Sequence, residues 1–196
     1  MAIYFPYFIG NKASRSELIQ RIVVETIIAS KVPDGKRAWS KVFELKHSSS
    51  VVQIGRMLAQ KRKLNVELAE IVCVLHDIYV NDTGDGTDHG ARGAVLAEKI
   101  LHRTRRFKNS EIKIISNAIR HHSDKHLVSK DSYVELIKDA DVFDCGLYEG
   151  MHDAYLYVKP LEICRTYFDR IKKIRKELSL PKDAQWDSLK YLTLKK

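Results

Sequence analysis

Histidine and aspartate residues able to hold a divalent cation are strung along the middle of this chain: His47, the dipeptide His76-Asp77, His89, the pair His121-His122, and Asp141 within Lys138-Asp139-Ala140-Asp141. Imidazole nitrogen and carboxylate oxygen are ligands for divalent metals. A mixed set without thiolates suits Mn, Fe, Co, Ni, Zn or Mg better than a cysteine-rich structural zinc site. If His47, His76, Asp77 and Asp141 bind one ion, an octahedral shell keeps positions for water and a substrate oxygen, as metal-assisted hydrolysis requires. A metal-bound water would be the nucleophile, with Asp77 as the central catalytic ligand, binding one ion or bridging to a second. A lone buried histidine is more often hydrogen-bonded within a core than metal-bound. The weight here lies in the ordered set, and His102, His126 and His152, outside that order, are read as ordinary residues.

Those ligands need elements to position them, and the hydrophobic pattern supplies helices. Apolar residues recur at spacings of three and four, with no sustained alternation, so an all-α fold is expected. A first helix starts at Ser14 or Ser16, turns Leu18, Ile22, Val23 and Ile27 inward, and stops before Pro33-Asp34-Gly35. A second runs from about Lys36 to Lys61. There Val51, Ile54 and Leu58 follow His47 by four, seven and eleven residues, which puts the histidine on the inward stripe. Asn65 caps a third helix whose Ala69, Val72, Cys73 and His76 share a face, so His76 emerges where the helix ends.

Asn81 to Asp88, rich in glycine and aspartate, reads as a loop. Thr87 or Asp88 then caps a helix with His89 in its first turn and Val95, Leu96 and Ile100 inward. Ser110 caps the next, with Ile112, Ile115 and Ile119 inward and His121-His122 at its end. A helix from about Tyr133 brings Leu136, Ile137 and Asp141 to adjoining inward positions and stops at Gly146. Pro160 opens a last long helix with Leu161, Cys164, Phe168 and Ile171 on one side. The tail after Pro181 carries little signal.

With 196 residues, 44% of them apolar, the chain can bury one core, and a single domain over 1–196 is expected. Cys73, Cys145 and Cys164 form no close-spaced pair, which points to a reducing, cytoplasmic setting. The apolar start, Met1 to Gly10, lacks a basic lead and a cleavage site and is interrupted by Pro6, so it reads as a core-packing arm. No segment approaches membrane-spanning length. The net charge of +9 favours anionic partners. The two basic clusters, Arg103 to Lys108 and Lys172 to Lys176, are read as solvated faces. The stretch Asn81 to Gly86 imitates a calcium loop but has Arg92 where the twelfth-position glutamate belongs. Phosphate loops of the Gly-Lys-Ser kind and Gly-x-Ser-x-Gly elbows are absent, which disfavours nucleotide-triphosphate motors and serine hydrolases.

In order and spacing these residues resemble the HD-domain superfamily, named for its His…His-Asp…Asp signature, over roughly His47 to Gly146. Val74-Leu75-His76-Asp77-Ile78 is similar to its His-Asp motif, His89-Gly90-Ala91 to the histidine that opens the next helix, and Ala118 to His122 to the following histidine position. Lys138 to Asp144 resembles the closing Asp-Ala-Asp segment, with Asp141 as ligand. The resemblance implies an HD-like helical bundle around a divalent metal, with a core over about 36–150, an N-terminal arm and helix over 1–35, and a C-terminal helical extension over 151–196. It implies phosphomonoesterase, phosphodiesterase or nucleotide-hydrolase activity on a phosphorylated small molecule, a nucleotide first among them. His89, His121 and His122 stand where some relatives hold a second metal or contact the phosphate, so one or two ions are open. Arg92, Arg120 and Lys125 lie near the motifs and could meet the phosphate. Ser123-Asp124-Lys125 stands where cyclic-dinucleotide phosphodiesterases carry their Gly-Tyr-Pro extension, which disfavours that substrate.

Two other classes stay open. A small branch of the same fold uses six His/Asp ligands to activate dioxygen with di-iron, and all six ligand types occur here. A non-catalytic signalling or nucleic-acid-binding module would explain the charge, although no aromatic-basic nucleic-acid motif is present. Homodimerisation through the final helix is compatible with the sequence.

Overall fold

The computed structural model describes residues 13–192, and among these the chain forms nine α-helices and no strand. The expected arm at residues 1–10 lies outside the described residues. Helix α1 (Arg15–Ala29) opens on a capping box: the Ser14 hydroxyl accepts from Glu17 N–H while the Glu17 carboxylate accepts from Ser14 N–H. Helix α2 (Lys41–Lys61) starts later than the spacing suggests. Asp34–Lys36 form a 3-10 turn, and Ser40 caps α2 by accepting from Phe43 N–H. The reason is Arg37, whose guanidinium is buried against Glu44 at 2.7 Å and donates to the Val80 and Asn81 carbonyls, so the chain must pass inward before α2 begins.

Helix α3 (Val66–Leu75), capped by Asn65 as expected, is buried along most of its length and packs against α1 and α2. Helix α4 (Ile78–Thr83) corrects the loop expectation for Asn81 to Thr83. Ile78, Val80 and Asn81 are fully buried, and Gly84, at φ 72°, ends the helix in the left-handed region that glycine adopts without penalty. Burial outweighs the turn-forming tendency of Asn-Asp-Thr here.

Helix α5 (His89–Thr104) presents a different face from the one the sequence suggests. Gly90, Gly93, Ala94, Ala97 and Leu101 are buried, whereas Val95 is 45% exposed and Leu96 and Ile100 only flank the core. The cause is the closeness of helix α6 (Asn109–His121): a Cβ at Gly90 would lie 2.8 Å from the Arg120 carbonyl oxygen. Small residues, not large apolar ones, mark the buried stripe where two backbones approach this tightly. Asp88 precedes α5 in the left-handed region without a side-chain capping bond, and α6 starts one residue before Ser110, with Glu111 accepting from Lys108 N–H.

Helix α7 (Ser132–Cys145) is capped by Asp131 and packs on α2, α3 and α6. A short helix that the sequence pattern did not separate, α8 (Met151–Val158), precedes α9 (Leu161–Glu177), and Ala184–Asp187 form a final 3-10 turn that buries Trp186. On α9 Leu161 is exposed, while Cys164, Phe168 and Ile171 are buried as expected. His152 stacks on Phe168 with 4.9 Å between ring centroids and turns its Nδ1 to the Asp153 carboxylate and its Nε2 to the Ser188 carbonyl, both acceptors, a histidine held within the core. No helix among the described residues is long and apolar enough to cross a membrane.

One buried ionic knot ties α9 to the rest. The Asp139 side chain is fully buried and accepts from Arg62 at 2.7 Å and from Arg170 at 2.6 Å. Arg170 also reaches Glu135 and donates to the carbonyls of Lys125 and Leu127, so it holds the segment after α6 in place. Breaking a buried pair strands the remaining charge. Arg170→Met should lower unfolding free energy by about 3–5 kcal/mol, read from denaturant midpoints. Gly90→Ala should cost about 1–3 kcal/mol through overpacking against a backbone atom, and an unchanged melting temperature would refute the tight α5–α6 contact.

Candidate metal centre

Helices α2, α5, α6 and α7 and the junction of α3 with α4 meet at one place. His47 sits on the inward stripe of α2, His76 and Asp77 lie between α3 and α4, His89 opens α5, His122 follows the end of α6, and Asp141 comes from α7. His47 and Asp141 are each less than a tenth exposed, and His76 and His122 are fully buried.

The rings are pinned from behind. Nδ1 of His76 lies 2.7 Å from the Cys73 carbonyl oxygen, Nδ1 of His122 2.7 Å from that of Ile119, and Nδ1 of His89 2.9 Å from that of Gly86. A carbonyl oxygen can only accept, so each Nδ1 carries the proton and each Nε2 of a neutral ring presents a lone pair. His47 follows the same rule through Asp144, whose Oδ2 accepts from Nδ1 at 2.5 Å.

The four Nε2 atoms then face one another and the carboxylates. His47 and His76 are 3.2 Å apart at Nε2, and His89 and His122 3.1 Å. Asp77 stands between the two pairs. Its Oδ2 lies 3.2 Å from His76 Nε2, and its Oδ1 lies 3.4 Å from His122 Nε2 and 3.6 Å from His89 Nε2. Asp141 Oδ1 is 3.6 Å from His47 Nε2. Lone pairs pointed at one another in a buried site are satisfied by a cation placed among them. Asp77 Oδ1 is moreover buried without a hydrogen-bond partner, a lone pair free to bind a cation. The donor set therefore fits a divalent metal. Two overlapping groups could hold one each, His47, His76 and Asp77 on one side and Asp77, His89 and His122 on the other, with Asp141 adjoining the first.

The electrostatics carry the same imprint. Burial lowers the proton affinity of His76, but the Asp77 and Asp141 carboxylates outweigh it and lift its pKa to about 9. At His122 burial dominates and, with repulsion from His76, brings the pKa down to about 4 despite Asp77. Burial would raise both carboxylates, yet the neighbouring imidazoles hold Asp77 well below the usual range, and Lys125 with His76 and His47 does the same for Asp141. Cys145 Sγ approaches Asp141 Oδ1 at 3.7 Å, and burial and that carboxylate push the thiol's pKa far up.

The candidate residues from the sequence divide cleanly. His47, His76, Asp77, His89, His122 and Asp141 converge. His121, one residue from His122 and therefore on another side of the helix, points outward and pairs with Asp124 at 3.7 Å. Arg92 is exposed, with its guanidinium on Tyr79 Oη at 2.7 Å and Asp85 at 3.2 Å, and Arg120 is exposed on α6. Only Lys125 of the three cations reaches the site, with Nζ 2.5 Å from Asp141 Oδ2. Asp144 was missed, although its place three residues after Asp141 on one helix was a usable signal. So were the walls of the adjoining cleft of about 360 Å³: Trp39, edge-on to His89 at 5.9 Å, Phe43, stacked on His47 at 5.2 Å, and, from the far end of the chain, Tyr155, Lys159 and Tyr167.

A scan against family models finds the HD domain over residues 45–146, about half of the chain, spanning every convergent ligand named above. No curated protein and no solved structure matches. The match and the order of the ligands within it agree: the chain belongs to the HD-domain family.

Proposed function

We propose that this chain is a metal-dependent phosphohydrolase acting on a nucleotide or another small phosphate ester. HD domains bind divalent metals and are commonly phosphohydrolases. The observation that carries the reading is the convergence of four Nδ1-protonated histidines around Asp77, a carboxylate with a partnerless buried oxygen, beside a cleft. In this reading His47, His76, Asp77 and Asp141 hold one ion, and Asp77, His89 and His122 hold a second. A divalent cation bound there supplies Lewis acidity toward a phosphoryl oxygen and lowers the pKa of water to near neutrality.

The protein's own groups do the rest. Asp77 fixes the spacing of the two halves, and Asp144 holds His47 in the tautomer that aims Nε2 inward. Lys125, kept charged by Asp141 against the cost of burial, places an ammonium at the cleft where a phosphate oxygen would sit. That role falls to Lys125 instead of Arg92 or Arg120, whose side chains are engaged or exposed elsewhere. Trp39 and Phe43 offer aromatic surface at the same cleft, which suits a planar ring such as a nucleobase.

The test is phosphate release from nucleoside phosphates, cyclic nucleotides and simple phosphoesters with Mn, Co, Ni, Mg or Fe. Asp77→Ala should reduce turnover to background. No turnover from metal-loaded, folded protein on any compound would refute the proposal. Asp144→Asn should weaken metal binding by about 10–100-fold while the fold stays intact, since only the orientation of His47 is lost. Metal uptake should also release a proton. With a pKa of about 9, His76 is protonated at neutral pH in the metal-free protein, whereas His122 at about 4 is not. Apparent metal affinity should therefore climb as pH rises toward 9 and level off above it, by calorimetry in buffers of different ionisation enthalpy.

A further inference from the structure

The cleft beside the metal centre holds a second lysine that the reaction itself does not need. Lys159 ends α8, and Pro160 after it confines its backbone to the extended region, observed at φ −126° and ψ 148°. Its N–H donates to the Tyr155 carbonyl at 2.9 Å, and its own carbonyl accepts from the Cys164 thiol at 3.6 Å, so the main chain is fixed on both sides. The side chain runs along the cleft wall, with Nζ 5.0 Å from the centroid of the Tyr167 ring, itself buried and part of the same lining.

Of the two lysines lining the cleft, Lys125 has a counter-charge and, among the described residues, Lys159 has none. Lys125 pairs with Asp141, Lys138 with Glu135 and Lys172 with Asp169, but among the described residues no carboxylate pairs with Lys159. It is half-buried, and desolvation together with repulsion from Lys125 lowers its pKa below the ordinary lysine value. An ammonium desolvated in a cleft, facing another ammonium and an aromatic ring, gains most from an anion brought in by a ligand. Much of the remaining lining is apolar, including Met151, Ala154 and Val158.

From this arrangement we infer that Lys159 forms a second anion subsite, so that the substrate carries two anionic groups: one phosphate at the metal centre and a second phosphate or carboxylate at Lys159. The inference rests on the reading of this cleft as the substrate site and narrows it from phosphate esters in general to doubly anionic ones. Lys159 is then a specificity residue, remote from the reacting atoms.

The experiment is calorimetric binding to Mn²⁺-loaded protein of non-hydrolysable ligands, the alkane bisphosphonates from propane to hexane, each against its alkyl monophosphonate. ω-Carboxyalkyl phosphonates of matching length distinguish carboxylate from phosphate at the far end. Wild-type protein should prefer at least one two-headed ligand by about tenfold. Lys159→Met, which keeps a stem against Tyr167, should erase that preference, and Lys159→Arg should retain most of it. A preference that is absent in the wild type or survives in Lys159→Met overturns the subsite. So does an equal loss for one-headed and two-headed ligands, which would make Lys159 a source of general positive potential. Because binding is read without turnover, a chain that hydrolyses nothing and still shows the Lys159-dependent preference refutes the hydrolase reading alone.

Discussion

Everything at the centre of this molecule follows from one constraint: three backbone carbonyls and one carboxylate claim the Nδ1 protons of four histidines. With that choice made, the Nε2 lone pairs have nowhere to point but toward each other and toward Asp77. Two of the carbonyls, those of Cys73 and Ile119, belong to the last turns of α3 and α6, and that of Ile119 also accepts from His122 N–H at 3.4 Å. In both places a carbonyl of the helix's last turn fixes the tautomer of the ring three residues on. Two of the four rings thus take their orientation from where a helix stops, while His47 takes its own from Asp144 on α7.

The packing around the centre serves that requirement. The α5–α6 contact, closed by glycine and alanine, brings His89 within 3.1 Å of His122. A Cβ at Gly55 of α2 would lie 2.3 Å from the Cys73 sulfur, and the same closeness between α2 and α3 brings His47 to His76. Each half of the ligand set therefore depends on two helices meeting at a distance that only a glycine allows. Arg37, buried with Glu44 and bonded to the carbonyls that end α4, fixes the element that begins directly after Asp77.

Much of this was legible in the sequence. The inward placement of His47 could be counted off from Val51, Ile54 and Leu58, and the cap at Asn65 set the phase that delivers His76 to the end of α3. What the sequence hid has physical reasons. The inward stripe of α5 was misplaced because hydrophobic periodicity ranks valine and isoleucine above glycine, whereas backbone proximity selects the reverse. The turn-rich Asn81 to Thr83 became helix because Ile78 and Val80 are buried and carry the segment with them. Arg92 and Arg120 lie close to the motif in sequence but turn away in space, while Lys159 and Tyr167, far along the chain, are returned to the cleft by α8 and α9. Proximity in sequence finds ligands held at helix ends; it does not find walls assembled by tertiary folding.

The residues converging on the metal centre all lie between positions 47 and 141, within the matched HD segment, whereas one wall of the cleft comes from positions 151 to 167 outside it. The converging histidines and aspartates and one wall of the cleft therefore come from separate stretches of chain, joined in part through Arg170, which reaches back from α9 to hold the backbone at Lys125. Such a division would let the wall vary while the converging histidines and aspartates stay in place. Arg170 on Asp139 and Arg62 on Glu177 nevertheless couple the two stretches, so a change in the wall reaches the centre through buried charge.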